Sequence, residues 1–185
     1  MNITIRKASI EDALQMATIN IASWRSTYRG LIADATLDEM ELGKYLEKWN
    51  HILTNPDQSG RFCFVAVNEM DEIVGYASSG KNRHEKFNFE GELYAIYLLK
   101  EHQGMGIGRK LFLRSIEEFK NRGITSFLLF VLSTNTGSRK FYESFHPDFS
   151  AEETITIDNG QYCDFCYGWS ALSNIVFQEF SQDGA

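Results

Sequence analysis

The stretch from Glu92 to Asn121 restricts the fold of this chain more than any other. Glu92-Leu93-Tyr94-Ala95-Ile96-Tyr97-Leu98-Leu99 is apolar almost throughout and reads as a strand buried on both faces. Gln103-Gly104-Met105-Gly106-Ile107-Gly108 follows. A helix is then expected from Arg109 to Asn121, with Leu111, Phe112, Ile116 and Phe119 on its apolar side and Gly123 as its stop. Closely spaced glycines let a backbone approach a ligand, and the amides at a helix start, with the dipole behind them, form an anion site. A phosphate is the natural occupant of such a loop.

Two common phosphate loops fail against this spelling. The P-loop pattern breaks where Arg109 stands five positions after Gly104. The dinucleotide fingerprint needs GxGxxG, whereas the spelling here is GxGxG, and no acidic residue ends the next strand. Glycine spacing alone therefore leaves two readings: a ligand loop of another kind, or a tight strand-to-helix turn.

Around this centre strands and helices alternate. Ile3 to Ala8 reads as a strand, and Ser9-Ile10-Glu11-Asp12 as a capping box opening a helix that runs through Trp24. A second helix is expected from Leu37 to Leu53, closed by Asn55-Pro56-Asp57. Phe62 to Val67 and Ile73 to Ser79 read as strands joined by a polar turn, and a polar loop from Gly80 to Phe89 precedes the central strand. Beyond the glycine-loop helix come a strand from Ile124 to Leu132 and a helix from Thr134 to Phe145, capped by Thr134 or Asn135. Strands from Ser150 to Ile157 and from Tyr162 to Trp169 flank the turn signal Asp158-Asn159-Gly160. This order predicts an α/β (α+β) fold in one domain, residues 1–170, with a tail at 171–185.

A formal net charge of −7 without a run of Lys or Arg longer than two argues against nucleic acid as a partner. No apolar stretch is long enough to span a bilayer, and Met1 to Lys7 lacks a signal-peptide pattern, so a cytoplasmic chain with no membrane partner is expected. Cys163 and Cys166 stand three apart on an alternating strand and so point to opposite faces, and the histidines are scattered; no metal is expected. Leu172, Ile175, Val176 and Phe180 in the tail point to packing on a neighbouring element or on a second subunit, as in a homodimer.

The string Gln103, Gly106, Gly108 after a strand of the form Glu-Leu-x-x-Ile-x-Leu resembles the acetyl-CoA signature of the GCN5-related N-acetyltransferase (GNAT) superfamily. The resemblance extends to Ser23-Trp24-Arg25-Ser26-Thr27-Tyr28-Arg29-Gly30-Leu31 and to Asn135-x-x-Ser138-x-x-Phe141-Tyr142, so it covers nearly the whole chain. It implies a mixed central sheet of about seven strands flanked by helices, with the two central strands splayed around the pantetheine arm. Acetyl-CoA is then the co-substrate. The amides of Gln103, Gly104, Met105, Gly106, Ile107 and Gly108 would take its pyrophosphate, with Arg109 and Lys110 offsetting the charge. Ile96, Tyr97 and Leu98 would pair with the pantetheine like an added strand, and Asn135 and Ser138 would border it. Asn135 also reads as a plain helix cap.

Chemistry sets further demands. An alkyl ammonium of pKa about 10.4 must lose its proton before attacking a thioester at pH 7, an opposition of roughly 4 to 5 kcal/mol. By resemblance to the histone acetyltransferase branch, Glu92 is the candidate base or ammonium anchor; read from position alone it is a polar residue at a strand start. The amide of Ile96 matches the family's oxyanion donor, and Tyr142 matches the tyrosine that protonates the departing thiolate, although an amphipathic helix could equally bury it in a core. Trp24, Tyr28, Tyr94 and Tyr97 are candidates for the acceptor pocket, with Tyr94 sharing the face of Glu92 by alternation. The chain departs from the family after Tyr142: His146-Pro147 replaces the usual Gly-Phe, and a different turn is expected there. The readings that follow are acetylation of a small-molecule primary amine, acetylation of a peptide N-terminus or lysine, or an acyl-CoA-binding module without turnover. Retention of both Glu92 and Tyr142 argues against the last.

Overall fold

A computed structural model describes residues 2–55 and 60–175. Seven strands form one mixed sheet in the order β1-β2-β3-β4-β5-β7-β6, with β1 at Thr4–Lys7, β2 at Phe62–Val67, β3 at Ile73–Lys81, β4 at Gly91–Leu98, β5 at Phe127–Leu132, β6 at Phe149–Ile157 and β7 at Gly160–Trp169. The helices are α1 (Ala13–Tyr28), α2 (Asp34–Asp38), α3 (Leu42–Thr54), α4 (Ile107–Asn121) and α5 (Thr136–Glu143). Among the described residues no helix is long and apolar enough to cross a membrane.

The helices cover both faces. On one, Leu111, Phe112, Ile116 and Phe119 of α4 bury against Phe62, Phe64, Leu93, Phe127 and Leu129. On the other, Met16 and Ala17 of α1 and Trp49 and Ile52 of α3 bury against Val65 and Tyr76. Because β2 is covered on both sides, all six of its residues are buried, whereas the edge strand β6 alternates between exposed and half-buried positions. Leu172 and Ile175 are buried in the α4-side core, so these two tail residues pack on the chain's own fold. Val176 and Phe180 lie outside the described residues.

Two departures from the expected elements have clear causes. The single helix expected from Leu37 to Leu53 is divided into α2 and α3. Arg25 of α1 explains the break: its Nε donates to the Leu37 carbonyl at 3.0 Å and its Nη2 to the Met40 carbonyl at 3.3 Å, taking acceptors that a continuous helix would use itself. The second departure is at His146, whose φ of 53° is the left-handed conformation that glycine supplies without strain. The family's glycine is thus replaced at a position that keeps a glycine-type backbone, and β6 starts soon after, with Phe149 opposite Gly168.

The centre of the sheet is splayed. β4 and β5 run parallel but pair only at Gly91↔Phe127 and Glu92↔Leu128, while β5 stays paired with β7 from Phe127↔Trp169 to Leu132↔Asp164. From Leu93 onward the β5-facing edge of β4 has no strand partner. Gly91 belongs to the joined end because a Cβ there would lie 2.6 Å from the Phe119 ring, so only glycine lets α4 pack this close. The pairing of β3 with β4 also shifts between Ser78 and Ser79: Ser79 faces Leu93 and Ser78 faces Ala95, leaving Tyr94 as the extra residue of a bulge.

Candidate active site

The splay opens into a cleft of about 560 Å³. One wall is β4 from Leu93 to Leu98, the opposite wall holds Phe130 and Val131 of β5 with Asn135, Ser138, Phe141 and Tyr142, and Ser23, Thr27 and Tyr28 of α1 reach it from across the sheet. The glycine loop forms its mouth. Gly104 and Gly106 both have φ of 75°, and Gly106 is the residue from which α4 starts. A Cβ at either would meet nothing within 4 Å, so the loop stands clear of the protein on its ligand side. Lys110 N is the first α4 amide bonded back to Gly106, at 3.1 Å, and the amides before it remain available to an anion. The carbonyl of Leu98 is tied by Ser23 Oγ at 3.0 Å and by Gln103 Nε2 at 3.4 Å, which fixes the end of β4 against α1 and against the loop.

Most of the residues expected around the cofactor meet here. Ile96, Tyr97, Leu98, Gln103, Gly104, Gly106, Gly108, Arg109, Asn135, Ser138 and Tyr142 all line the cleft. Three do not line it: Met105 projects into solvent, Lys110 is exposed and Ile107 is buried in the α4 core. Asn135 serves as a cap and borders the cleft at once, since its Oδ1 accepts from Ser138 N at 3.2 Å. An unpaired β4 edge, a glycine mouth with open amides and a long cleft fit the pantetheine and pyrophosphate of a CoA thioester.

Tyr142 is buried at the cleft between Phe112, at 6.2 Å between ring centroids, and Phe141, at 5.0 Å. Burial, with Tyr97 adding to it, holds its phenol well above the ordinary value, so the hydroxyl keeps its proton. Among the described residues that hydroxyl makes no hydrogen bond. Tyr28, on the α1 side of the cleft, is pushed up to about 12, by burial first and then by Tyr142 and Asp164. Asp164 of β7 is itself buried, its Oδ1 has no hydrogen-bond partner among the described residues, and burial and then Glu153 push its carboxyl up to about 6.

A second cavity, about 300 Å³, lies on the α1 and α3 side of β4. Tyr94, Ala95 and Tyr97 line both cavities, so the bulged part of β4 is their common wall. The bulge changes which side chains meet. Strict alternation would put Ile96 with Glu92 and Tyr94; instead Ile96 packs against the α4-side core and Tyr97 against the α1 and α3 cluster. Trp24 lines only this second cavity and donates from Nε1 to Tyr97 Oη at 2.8 Å. Glu92 lines neither. Its carboxylate is 2% exposed and is held by Arg83, and His84 Nε2 lies 3.6 Å away.

The sequence did not single out Lys48, Arg61 and Arg83, which line the second cavity, or Asp164. Arg83 and Arg61 sit in or beside loops, where no periodicity reports direction. Asp164 occupies an ordinary alternating position on β7, and what sets it apart is an unpaired buried oxygen.

The chain is similar to known proteins along most of its length. The family described as Acetyltransferase (GNAT) family matches residues 22–146. The uncharacterized N-acetyltransferase YuaI of Bacillus subtilis is 33% identical over 92% of this chain and 95% of its own length. The spermidine N(1)-acetyltransferase of Thermoplasma acidophilum is 26% identical over 83% of this chain and 92% of its own. The crystal structure of the PaiA N-acetyltransferase from Thermoplasma acidophilum in complex with coenzyme A superposes with a TM-score of 0.69 at 23% identity, covering 89% of this chain and 98% of that one.

Proposed function

Since the chain belongs to the acetyltransferase (GNAT) family and is therefore an acetyl-CoA-dependent acyltransferase, we propose that its acceptor is the primary amine of a small molecule. The observation that carries this reading is the pair of cavities on either side of the β4 bulge, one of about 560 Å³ running from the glycine loop along β4 and the other, at about 300 Å³, the size of a small ligand. The Gly80 to Phe89 segment supports it against a peptide acceptor. That segment is not an open groove: Asn82 Nδ2 donates to the carbonyls of His84, Phe87 and Phe89 at 3.2, 2.9 and 2.9 Å, and Phe87 is buried beside Phe130 and Phe149.

When bound, acetyl-CoA supplies an activated acetyl thioester. The residues that would hold it are the Gly104 to Gly108 amides and Arg109 at the phosphates, the free edge of β4 at Ile96 to Leu98, and Asn135 with Ser138 on the far wall; the Gln103 amide, expected among the phosphate donors, already donates to the Lys100 carbonyl at 3.2 Å. The Ile96 amide is assigned the donor role for negative charge on the acetyl oxygen, as an amide on a strand edge whose geometry is set before substrate arrives. Tyr142 holds a proton at its hydroxyl at neutral pH and is assigned as the donor toward the sulfur. Glu92 is assigned to positioning: it fixes Arg83 at the wall of the smaller cavity, and Trp24 orients Tyr97 there.

The test is a thiol-release assay with acetyl-CoA and a panel of amines, with product mass confirming a gain of one acetyl group. The reading predicts turnover of one or more free small amines. Turnover confined to peptide N-termini or protein lysines would replace it.

A further inference from the structure

The smaller cavity is basic in an acidic chain. Its lining includes Lys48 of α3, Arg61 before β2 and Arg83 after β3, and none of the described residues that line it is Asp or Glu, whereas the whole chain carries a formal net charge of −7. Two of the cations share one ring: the Arg61 and Arg83 guanidinium carbons lie 4.3 and 4.1 Å from the Tyr94 ring centroid, while Lys48 Nζ lies 6.0 Å from that of Tyr45, which lines the same cavity. Burial, and then Arg61 and Arg83, hold the Lys48 ammonium below the ordinary lysine value. Arg83 is balanced by Glu92, but Lys48 forms no salt bridge among the described residues. Trp49 adds to the same wall, and its buried indole N–H has no hydrogen-bond partner among the described residues.

Like charges gathered at one concave site repel each other, and an anionic occupant relieves that repulsion while finding charged donors in place. A polyamine would need carboxylates there, and the described lining has none. We infer that this cavity binds a carboxylate or phosphonate carried by the acceptor itself, so that the substrates are small zwitterionic amines of the amino-acid kind; this rests on the small-molecule reading above. Lys48 takes the anion, Arg83 is held at the wall by Glu92, and the amine lies toward Tyr94, Ala95 and Tyr97, which also border the cofactor cleft.

The experiment compares kcat/KM at saturating acetyl-CoA for two matched pairs, an α-amino acid against its amide and 2-aminoethylphosphonate against propylamine. The anionic member of each pair is expected to be better by roughly 10- to 100-fold, as for one charge-assisted contact. Lys48→Met should reduce that ratio to about three-fold or less while CoA affinity stays within about two-fold. Equal or poorer use of the anionic members, or a preference that survives Lys48→Met, overturns the inference. A second measurement needs no turnover. With CoA saturating, so that the glycine loop is filled, inorganic phosphate should raise the melting temperature of the wild type and not that of Lys48→Met. Absence of protection in the wild type, or equal protection of both, overturns the anion site. If phosphate protection depends on Lys48 but no small amine is acetylated, the anion site stands and the small-molecule reading fails.

Discussion

Arg83 holds Glu92 through three donors: its backbone N–H and its Nε reach Oε2 at 3.1 and 3.0 Å, and its Nη2 reaches Oε1. Both carboxylate oxygens are thereby engaged on a side chain that is 2% exposed. Glu92→Gln is therefore expected to lower kcat/KM without changing the shape of the pH–rate profile, because the carboxylate positions Arg83. A defect that disappears as pH rises toward the amine's own pKa would instead make Glu92 the base. Arg83→Met, which removes the guanidinium and leaves the buried carboxylate only the backbone N–H of residue 83 and the neighbouring His84, should destabilise the fold by about 2 to 3 kcal/mol in chemical denaturation. That is less than a fully buried pair would lose, because the Arg83 side chain is half exposed.

Tyr142→Phe removes one hydroxyl and keeps the ring among Phe112 and Phe141. Stability should change by less than about 1 kcal/mol, since that hydroxyl has no partner among the described residues. CoA affinity should stay within about three-fold, and kcat should fall by on the order of 100-fold. Wild-type kcat with a lowered melting temperature would make Tyr142 a core residue only.

Gly106 stands at φ of 75° with open space where a Cβ would project. Gly106→Ala should cost about 1 to 2 kcal/mol of stability through backbone strain alone. Gly106→Asp should show a similar stability loss but weaken CoA binding by a further factor of about ten or more, because it places a negative charge at an anion site. Calorimetric CoA affinities of the two variants, both checked for folding, separate strain from electrostatics. Equal affinities would remove the phosphate role from this loop.

Asp164, with its carboxyl at about 6 in the folded chain against an ordinary 3.8, is a pH-dependent liability. A carboxyl raised by folding contributes stability that is complete below pH of about 3.8 and is lost as pH rises through about 6, since the folded chain must then ionise a buried group. The loss amounts to at most about 3 kcal/mol at pH 8. Asp164→Asn should therefore stabilise the chain by about 1 to 3 kcal/mol at pH 8, with the difference shrinking toward zero near pH 4. Denaturation curves of both proteins at the two pH values check this, and a difference that does not vary with pH would contradict it.

His146→Gly should stabilise by about 0.5 kcal/mol. The substitution relieves a left-handed backbone at φ of 53°, worth about 1 to 2 kcal/mol, but it also frees the unfolded chain by about 0.4 to 1 kcal/mol. A loss of stability would mean that the imidazole makes contacts that outweigh the strain.

The strand, glycine loop and helix from Glu92 to Asn121 were legible because periodicity and glycine placement are local signals, whereas the candidate cofactor residues on β4, the loop and α5 were picked out by the family resemblance. The break between α2 and α3 was not legible, because Arg25 on another helix causes it. Nor was the commitment of Glu92, whose partner Arg83 stands nine residues earlier in a loop without periodicity.

By itself the sequence determined the alternation of strands and helices, the face of α4 that becomes core, and a glycine turn at Gly104 and Gly106 ahead of that helix. These depend on residues close together in the chain, where 3.6- and 2-residue periods and the freedom of glycine act directly. Only the tertiary structure decided where β4 leaves β5, that one extra residue at Tyr94 exchanges the sides that Ile96 and Tyr97 face, and that Lys48, Arg61 and Arg83 converge on one small cavity. Those outcomes depend on register between strands and on packing between segments far apart in the chain. A one-residue shift there reverses every side chain beyond it, and no local pattern encodes that shift.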